Sequence, residues 1–390
     1  MIENFFRPAT RFTQSEIDGS LVPPAGMSSL RQVDQGLREN WYIACLSSEL
    51  DSANGRPISS VVYEMPLVIY RDELKMATAL FDRCLHRGAK LSEGTCKAGK
   101  LRCPYHGWAY GAHGEVSEVP SEGPDFQKKN WRGRSLPVVE QDGAVWVWTG
   151  DNDPMLSPKT ARPPWRFPFA DSSDWTGYFM VTDFENEVTH LVENFMDVPH
   201  TVFVHDKWFR SRAEMKVPIT VEVGSGRVLV TYDQPNDSIG FTSQMMNPSN
   251  EPMIHTDEFI YPNITRVDYR FGKRGYVINS QCTPMGRYKT RVYTWISYHL
   301  FSGFVGGLVN PRIRGAMNYY TRQVIEQDVD IMKNQGRNLQ RLDEQGQGVP
   351  FKSTAADELH IAIERLRELG KHRDEKLLTT AWTKERELWI

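Results

Sequence analysis

Four side chains in two short segments have the types and spacing of metal ligands. Cys84 and His86 stand in CLHRG at 84–88, and Cys103 and His106 in CPYHG at 103–107. The pattern is C-x-H, sixteen residues, then C-x-x-H. Thiolates and imidazoles together suit zinc or an iron–sulfur cluster. Zinc fingers usually place two cysteines on one loop and two histidines on another, whereas each loop here carries one of each. One Cys and one His per loop instead suits a [2Fe–2S] centre in which two thiolates hold one iron and two imidazoles the other. Gly88 and Gly107 let backbone N–H groups approach the sulfurs. Zinc stays the alternative at this point.

A second set follows in ENFMDVPHTVFVH at 193–205, which reads N-x-x-D-x-x-H-x-x-x-x-H. Two neutral imidazoles and a distant carboxylate form the ligand set of non-haem Fe(II), with positions left open for O2. An unbroken helix would set His200 and His205 about 140° apart, a poor chelate. Pro199 breaks the helix and removes that restriction. The carboxylate must come from further on, where RQVIEQDVDIMKNQ at 322–335 offers Glu326, Asp328 and Asp330. Asp328 lies three or four residues from Val324, Ile325, Ile331 and Met332, on the apolar stripe. Glu326 and Asp330 fall about 200° round the helix, on the polar face. A carboxylate on a buried stripe is costly unless paired or bound to metal, which singles out Asp328.

The loops CLHRG and CPYHGW resemble those of Rieske non-haem iron oxygenases. Mitochondrial-type Rieske proteins carry an extra disulfide-bonded cysteine in each loop. Ala89 and Tyr105 stand there instead, which points to the oxygenase or ferredoxin branch. The 193–205 motif and DVDIMKNQ, ending in Gln335, resemble the catalytic part of the same family. The resemblance implies a Rieske [2Fe–2S] cluster on Cys84, His86, Cys103 and His106, and a mononuclear Fe(II) on His200, His205 and Asp328, with O2 as co-substrate. It implies that Asn194 supports the iron ligands, and that Asp197 links His200 to the Rieske histidine of a neighbouring subunit in a homotrimer. A separate reductase or ferredoxin would supply electrons, since no flavin or nicotinamide motif is present. The implied reaction is hydroxylation or oxidative demethylation of a small aromatic or cyclic molecule. A chain of this length favours a monooxygenase over a ring cis-dihydroxylating dioxygenase. Two readings from other classes stand beside it, namely a Rieske electron carrier fused to a ligand-binding domain and a zinc-stabilised binding module.

The elements that position these residues can be sketched. Short β-like runs (WYIAC, SSVVYEM, PLVIYR, ATALF, AVWVWTG) fill the region up to residue 150, separated by turn residues. Residues 153–168 hold five prolines and read as a linker. Val188, Leu191, Val192, Phe195 and Met196 repeat with helical spacing, so 186–197 reads as a helix. Strand-like runs return over 216–300, and 314–345 and 355–370 read as helices. The expected class is α+β. An N-terminal arm (1–38) precedes an all-β Rieske domain (39–152). The linker leads to a catalytic domain (169–390) with a helix-grip-like antiparallel sheet.

Composition bounds the rest. With 390 residues, two domains are expected. Lys and Arg number 46 against 49 Asp and Glu, which gives no electrostatic reason to bind nucleic acid or an anionic membrane. Five dispersed cysteines are too few for a disulfide scaffold, so Cys45, Cys96 and Cys282 read as ordinary packing residues. The opening MIENFFRPATRF lacks the pattern of a secretory leader, and the cytoplasm is the expected location. Val292–Pro311 carries no formal charge over about one spanning length, but its polar residues and glycines favour a strand and a Gly-rich turn leading to the next helix.

Overall fold

The structure of the protein is a computed structural model. It describes residues 6–7, 35–127, 129–151, 154, 163–205, 216–233, 247, 251–301, 303–347 and 351–389. Most of the expected N-terminal arm and positions 153 and 155–162 of the expected linker lie outside the described residues. The chain divides into two compact units, Met1–Arg166 and Phe167–Ile390.

Among its described residues, the first unit is all β apart from short helical turns. Its strands are β1 (Phe6–Arg7), β2 (Trp41–Leu46), β3 (Ile58–Val62), β4 (Met65–Arg71), β5 (Ala77–Phe81), β6 (Thr95–Lys97), β7 (Lys100–Arg102), β8 (Ala109–Tyr110), β9 (Val116–Glu118), β10 (Ser135–Leu136), β11 (Val138–Gln141) and β12 (Ala144–Trp148). They form three sheets, ordered β1-β11-β12-β2, β10-β5-β4-β3 and β6-β7-β8-β9. The apolar runs WYIACL and AVWVW are buried at every position, which is why they show no alternation in sequence. The small β6–β9 sheet carries the two Cys/His loops. Its Leu101, Tyr110 and Val116 join Val68, Tyr70 and Leu80 in one core cluster that also encloses Cys84 and Cys103.

The second unit is built on one antiparallel sheet of eight strands. These are β13 (Thr176–Phe184), β14 (Lys216–Gly224), β15 (Arg227–Tyr232), β16 (Met253–Ile260), β17 (Ile264–Phe271), β18 (Arg274–Gly286), β19 (Lys289–His299) and β20 (Trp382–Trp389). Their order is β13-β19-β18-β17-β16-β15-β14-β20. Register sets the chemistry of the inner face, because side chains alternate between faces. One cross-strand row reads Tyr232, His255, Tyr269, Tyr276, Tyr298. The next inward row reads Val230, Asp257, Val267, Ile278, Ile296. Among the described residues, the helices that accompany the sheet include α1 (Val188–Met196), α2 (Thr201–Val204), α3 (Gly303–Glu344) and α4 (Glu358–Lys371). Tyr276 and Thr321 share a hydrogen bond of 2.6 Å that pins α3 to the sheet. The architecture is α+β.

Two local expectations are corrected. The glycines after His299 do not form a turn, because α3 begins at Gly303 and runs through them. Asn310 bonds both the N–H and the carbonyl of Phe301, so the helix start is clasped against the preceding chain. A Cβ at Gly306 would lie 2.0 Å from the Phe301 carbonyl oxygen, so glycine there serves close packing. The terminal strand β20 was not expected, since its sequence is charged and only Leu388 is fully buried. It is an edge strand, and charge along an edge is compatible with pairing on one side only. No helix among the described residues is long and apolar enough to cross a membrane.

The long helix lies close to the chain that leads into α1. Asn186 Nδ2 donates to the Met332 carbonyl at 3.0 Å and to Gln335 Oε1 at 2.9 Å. Gly336 is buried there, and a Cβ on it would lie 2.0 Å from the Glu185 carbonyl oxygen. Gly336→Ala is therefore expected to cost about 2 kcal/mol and to lower the melting temperature by roughly 4–8 °C. Gly315→Ala, on the exposed face of the same helix with open space around it, is expected to be neutral or stabilising. Calorimetric melting of the two variants checks the contrast.

Candidate functional site

The two Cys/His loops have the same backbone form. Cys84 N–H donates to Ala89 O, and Cys103 N–H donates to Trp108 O, each across five residues. Gly88 N–H returns to Cys84 O and Gly107 N–H to Cys103 O. The closure requires a left-handed residue at the fifth position, supplied by Gly88 (φ 73°) and Gly107 (φ 71°). The turns bring the two thiols together in the core, where burial and the neighbouring Cys84 push the Cys103 thiol up. The two imidazoles of His86 and His106 meet edge to face, with ring centroids 4.5 Å apart.

This pairing of sulfur with sulfur and imidazole with imidazole fits a two-iron cluster. His86 Nδ1 is buried without a hydrogen-bond partner, as an atom reserved for a metal would be. Trp108 stacks on His86 at 4.8 Å with planes 3° apart, and Trp131 stacks on Trp108. Sequence reasoning missed Tyr110. Its oxygen accepts from Leu85 N–H at 2.9 Å and lies 3.2 Å from Cys84 Sγ, which leaves its proton free to point at the sulfur. A hydrogen bond to a cluster sulfur stabilises the reduced, more negative state. Tyr110→Phe is expected to lower the cluster potential by about 40 mV, the equivalent of one ordinary hydrogen bond, as read by redox titration of the visible bands.

In the second unit, α1 ends at Met196 and Asp197 is extended (φ −92°, ψ 109°). Pro199 follows, and His200 and His205 flank the single turn of α2. The break turns both rings to one side. His200 Nε2 and His205 Nε2 stand 3.3 Å apart, and Asp328 Oδ1 from α3 lies 3.5 and 3.3 Å from them. Points on such a triangle are about 2 Å from its centre, the length of a metal–ligand bond. Among the described residues, these three form the group of His, Cys, Asp and Glu side chains tight enough for one ion. Asp328 is buried, whereas Glu326 and Asp330 are exposed.

The charges around this triangle depend on one another. Burial disfavours the cationic form of His200, but Asp197 and Asp328 outweigh it and push the imidazole up to about 9. Burial would raise Asp328, yet the two imidazoles hold it down at about 2. A divalent cation would take the place of the proton held there. Neighbours orient the ligands. Asn194 Nδ2 donates to Asp328 Oδ1 at 3.1 Å, and His205 Nδ1 lies 2.9 Å from Gln327 Oε1. Gln327 was not anticipated, since nothing in its sequence context sets it apart. His200 Nδ1 is buried without a hydrogen bond, 3.7 Å from Asp197 Oδ2. Gln335 instead serves Asn186, away from the triangle.

The triangle forms part of the wall of a cavity between the sheet and the helices. Phe184, Phe195, Val267, Ile278, Val324 and Ile325 supply its apolar lining. Asp197, His200, His205 and Asp328 line it too.

Comparison with known proteins bears on both units. Residues 40–140 match the family described as the Rieske [2Fe-2S] domain, and residues 186–369 match the vanillate O-demethylase oxygenase C-terminal domain. Chlorophyllide a oxygenase of Chlamydomonas reinhardtii is 34% identical over 47% of this chain and 27% of its own length. The oxygenase component of dicamba O-demethylase from Stenotrophomonas maltophilia is 32% identical over 49% of this chain and 54% of its own length. This chain thus spans about half of those relatives or less. In structure, dicamba monooxygenase superposes with a TM-score of 0.74 at 22% identity, over 87% of this chain and 98% of that one. NdmA of Pseudomonas putida CBB5 gives 0.72 at 18% identity, over 92% and 98%. These likenesses show the shared fold. With a Rieske [2Fe-2S] domain over residues 40–140 followed by a vanillate O-demethylase oxygenase C-terminal domain over 186–369, the protein belongs to the Rieske non-haem iron oxygenases.

Proposed function

We propose that the chain is a monooxygenase that hydroxylates or oxidatively demethylates a small aromatic or cyclic molecule, with electrons from a separate reductase or ferredoxin. The observation that carries this reading is the convergence of His200, His205 and Asp328 on the wall of a largely apolar cavity. When bound, the [2Fe–2S] group would supply single electrons and the iron would supply O2 activation. The chain's own residues do the positioning. Cys84, His86, Cys103 and His106 would hold the cluster, and His200, His205 and Asp328 the mononuclear ion. Gln327 fixes the ring orientation of His205, and Asn194 fixes the Asp328 carboxylate. The apolar lining orients the substrate and excludes water.

Demethylase relatives support this choice. Dicamba O-demethylase and vanillate O-demethylase both bear that activity in their names. A homotrimer follows from the same reading, with Asp197 joining His200 to the Rieske histidine of a neighbouring copy. None of the five cysteines is in a disulfide, which suits a reducing compartment, and we place the protein in the cytoplasm.

Product analysis under labelled O2, over methoxylated and N-methylated ring compounds, tests the reaction. One labelled oxygen per turnover is expected, and two would replace the monooxygenase by a dioxygenase. In Asp197→Asn, O2-dependent oxidation of the reduced cluster is expected to slow at least about 100-fold with iron content unchanged. Stopped-flow absorbance reads this, and an unaltered rate removes Asp197 from the electron path.

A further inference from the structure

Opposite the helices, the inner face of the sheet carries a buried imidazole–carboxylate pair that the proposed iron chemistry does not use. Strand β16 alternates so that Met253, His255, Asp257 and Phe259 are buried while the residues between them are more accessible. His255 is 0% exposed and Asp257 is 2% exposed. His255 Nε2 lies 3.0 Å from Asp257 Oδ1, with the imidazole N–H donating to the carboxylate. The cross-strand register clamps the imidazole between two phenol rings, Tyr232 at 4.3 Å and Tyr269 at 4.4 Å. His255 is therefore a fixed donor. The pair sits two residues apart on one strand, so its hydrogen bond ties no two elements together. A buried polar pair retained without that benefit asks for another role.

The cavity supplies one. Asp257 lines it together with His205 and Asp328, whereas His255 does not. Thr265, Ser280 and Thr294 also line it. No Lys or Arg is among the described residues of that wall. An organic acid entering there would meet the Asp257 carboxylate on the sheet side, with no Lys or Arg in the described wall to offset it. A hydrogen-bond donor would meet a preset acceptor in a site of low polarity, where such a bond is strong.

We propose that Asp257 determines specificity, recognising an N–H or O–H group on an otherwise apolar substrate and rejecting a carboxylate. This inference rests on reading the cavity as the oxygenation site. It differs from that reading in concerning which molecule enters, not what is done to it.

Anaerobic calorimetric titration of the protein with both metal groups loaded tests the idea. The probes are 4-methoxybenzylamine, 4-methoxybenzyl alcohol, 4-methoxytoluene and 4-methoxybenzoate. The amine and the alcohol are expected to bind on the order of ten- to a hundredfold more tightly than methoxytoluene, with the benzoate weakest. In Asp257→Asn the amine is expected to lose at least about tenfold of its advantage, while Asp257→Glu retains the preference. Benzoate binding as tightly as amine, or no discrimination among the four (including no binding by any), overturns the proposal. So does an unchanged ranking in Asp257→Asn. If that variant fails to fold, the wild-type ranking decides alone. Failure of the oxygenase reading is distinguishable, because it shows as absent O2 consumption in a protein whose binding order is intact.

Discussion

Asp328→Ala is expected to empty the mononuclear iron site and reduce O2-dependent turnover at least about 1000-fold, while the [2Fe–2S] absorption stays. Three ligand atoms lie 3.3–3.5 Å apart around one point, and Asp328 contributes the charge among them. Without it, a doubly charged ion would be held in a buried pocket by two neutral rings. The attraction between His200 and Asp328 would also vanish, and the imidazole would lose part of what holds it up near 9. The remaining triangle would therefore be short of both geometry and charge. Glu326→Ala and Asp330→Ala are the controls, since both side chains are exposed on α3. Metal analysis and oxygen uptake on the three variants check the assignment. Wild-type iron content in Asp328→Ala would falsify it.

Cys103→Ser is expected to abolish the visible absorption and bring the iron content from about three atoms per chain to about one. Cys103 is buried beside Cys84 in a loop closed by Gly107, so a serine oxygen cannot be replaced by another thiolate nearby. Electron delivery to the second site would stop with it, and turnover would fall below detection. Cys96→Ser supplies the contrast. Cys96 lies on β6, where its half-buried thiol packs against the core and burial pushes it up to about 12. That variant is expected to keep its colour. Colour retained in Cys103→Ser would remove this residue from the cluster.

The sequence was informative where a residue's chemistry is fixed by short spacing. C-x-H and C-x-x-H need only tight turns, and a turn is a local property of Gly88 and Gly107. The break at Pro199 is local too, and so is the apolar stripe that separates Asp328 from Glu326 and Asp330. Supporting residues were less legible. Tyr110, Gln327 and the His255–Asp257 pair have no local signature, because their partners lie on other segments or because strand register alone decides which way they face. The glycines of 303–307 misled for the opposite reason. They read as a turn in isolation, but the packing of Phe301 and Asn310 against the helix start makes them helical.

By itself, then, the sequence determined which residues could bind metal, because donor type and near-neighbour spacing are written along the chain. It also determined the α+β class, through periodicity. Only the tertiary structure decided what stands opposite those donors. An eight-stranded sheet brings Asp257 from β16 into the same cavity as His205 and Asp328. That convergence joins residues far apart in the chain, and it depends on cross-strand register and on how α3 lies against the sheet.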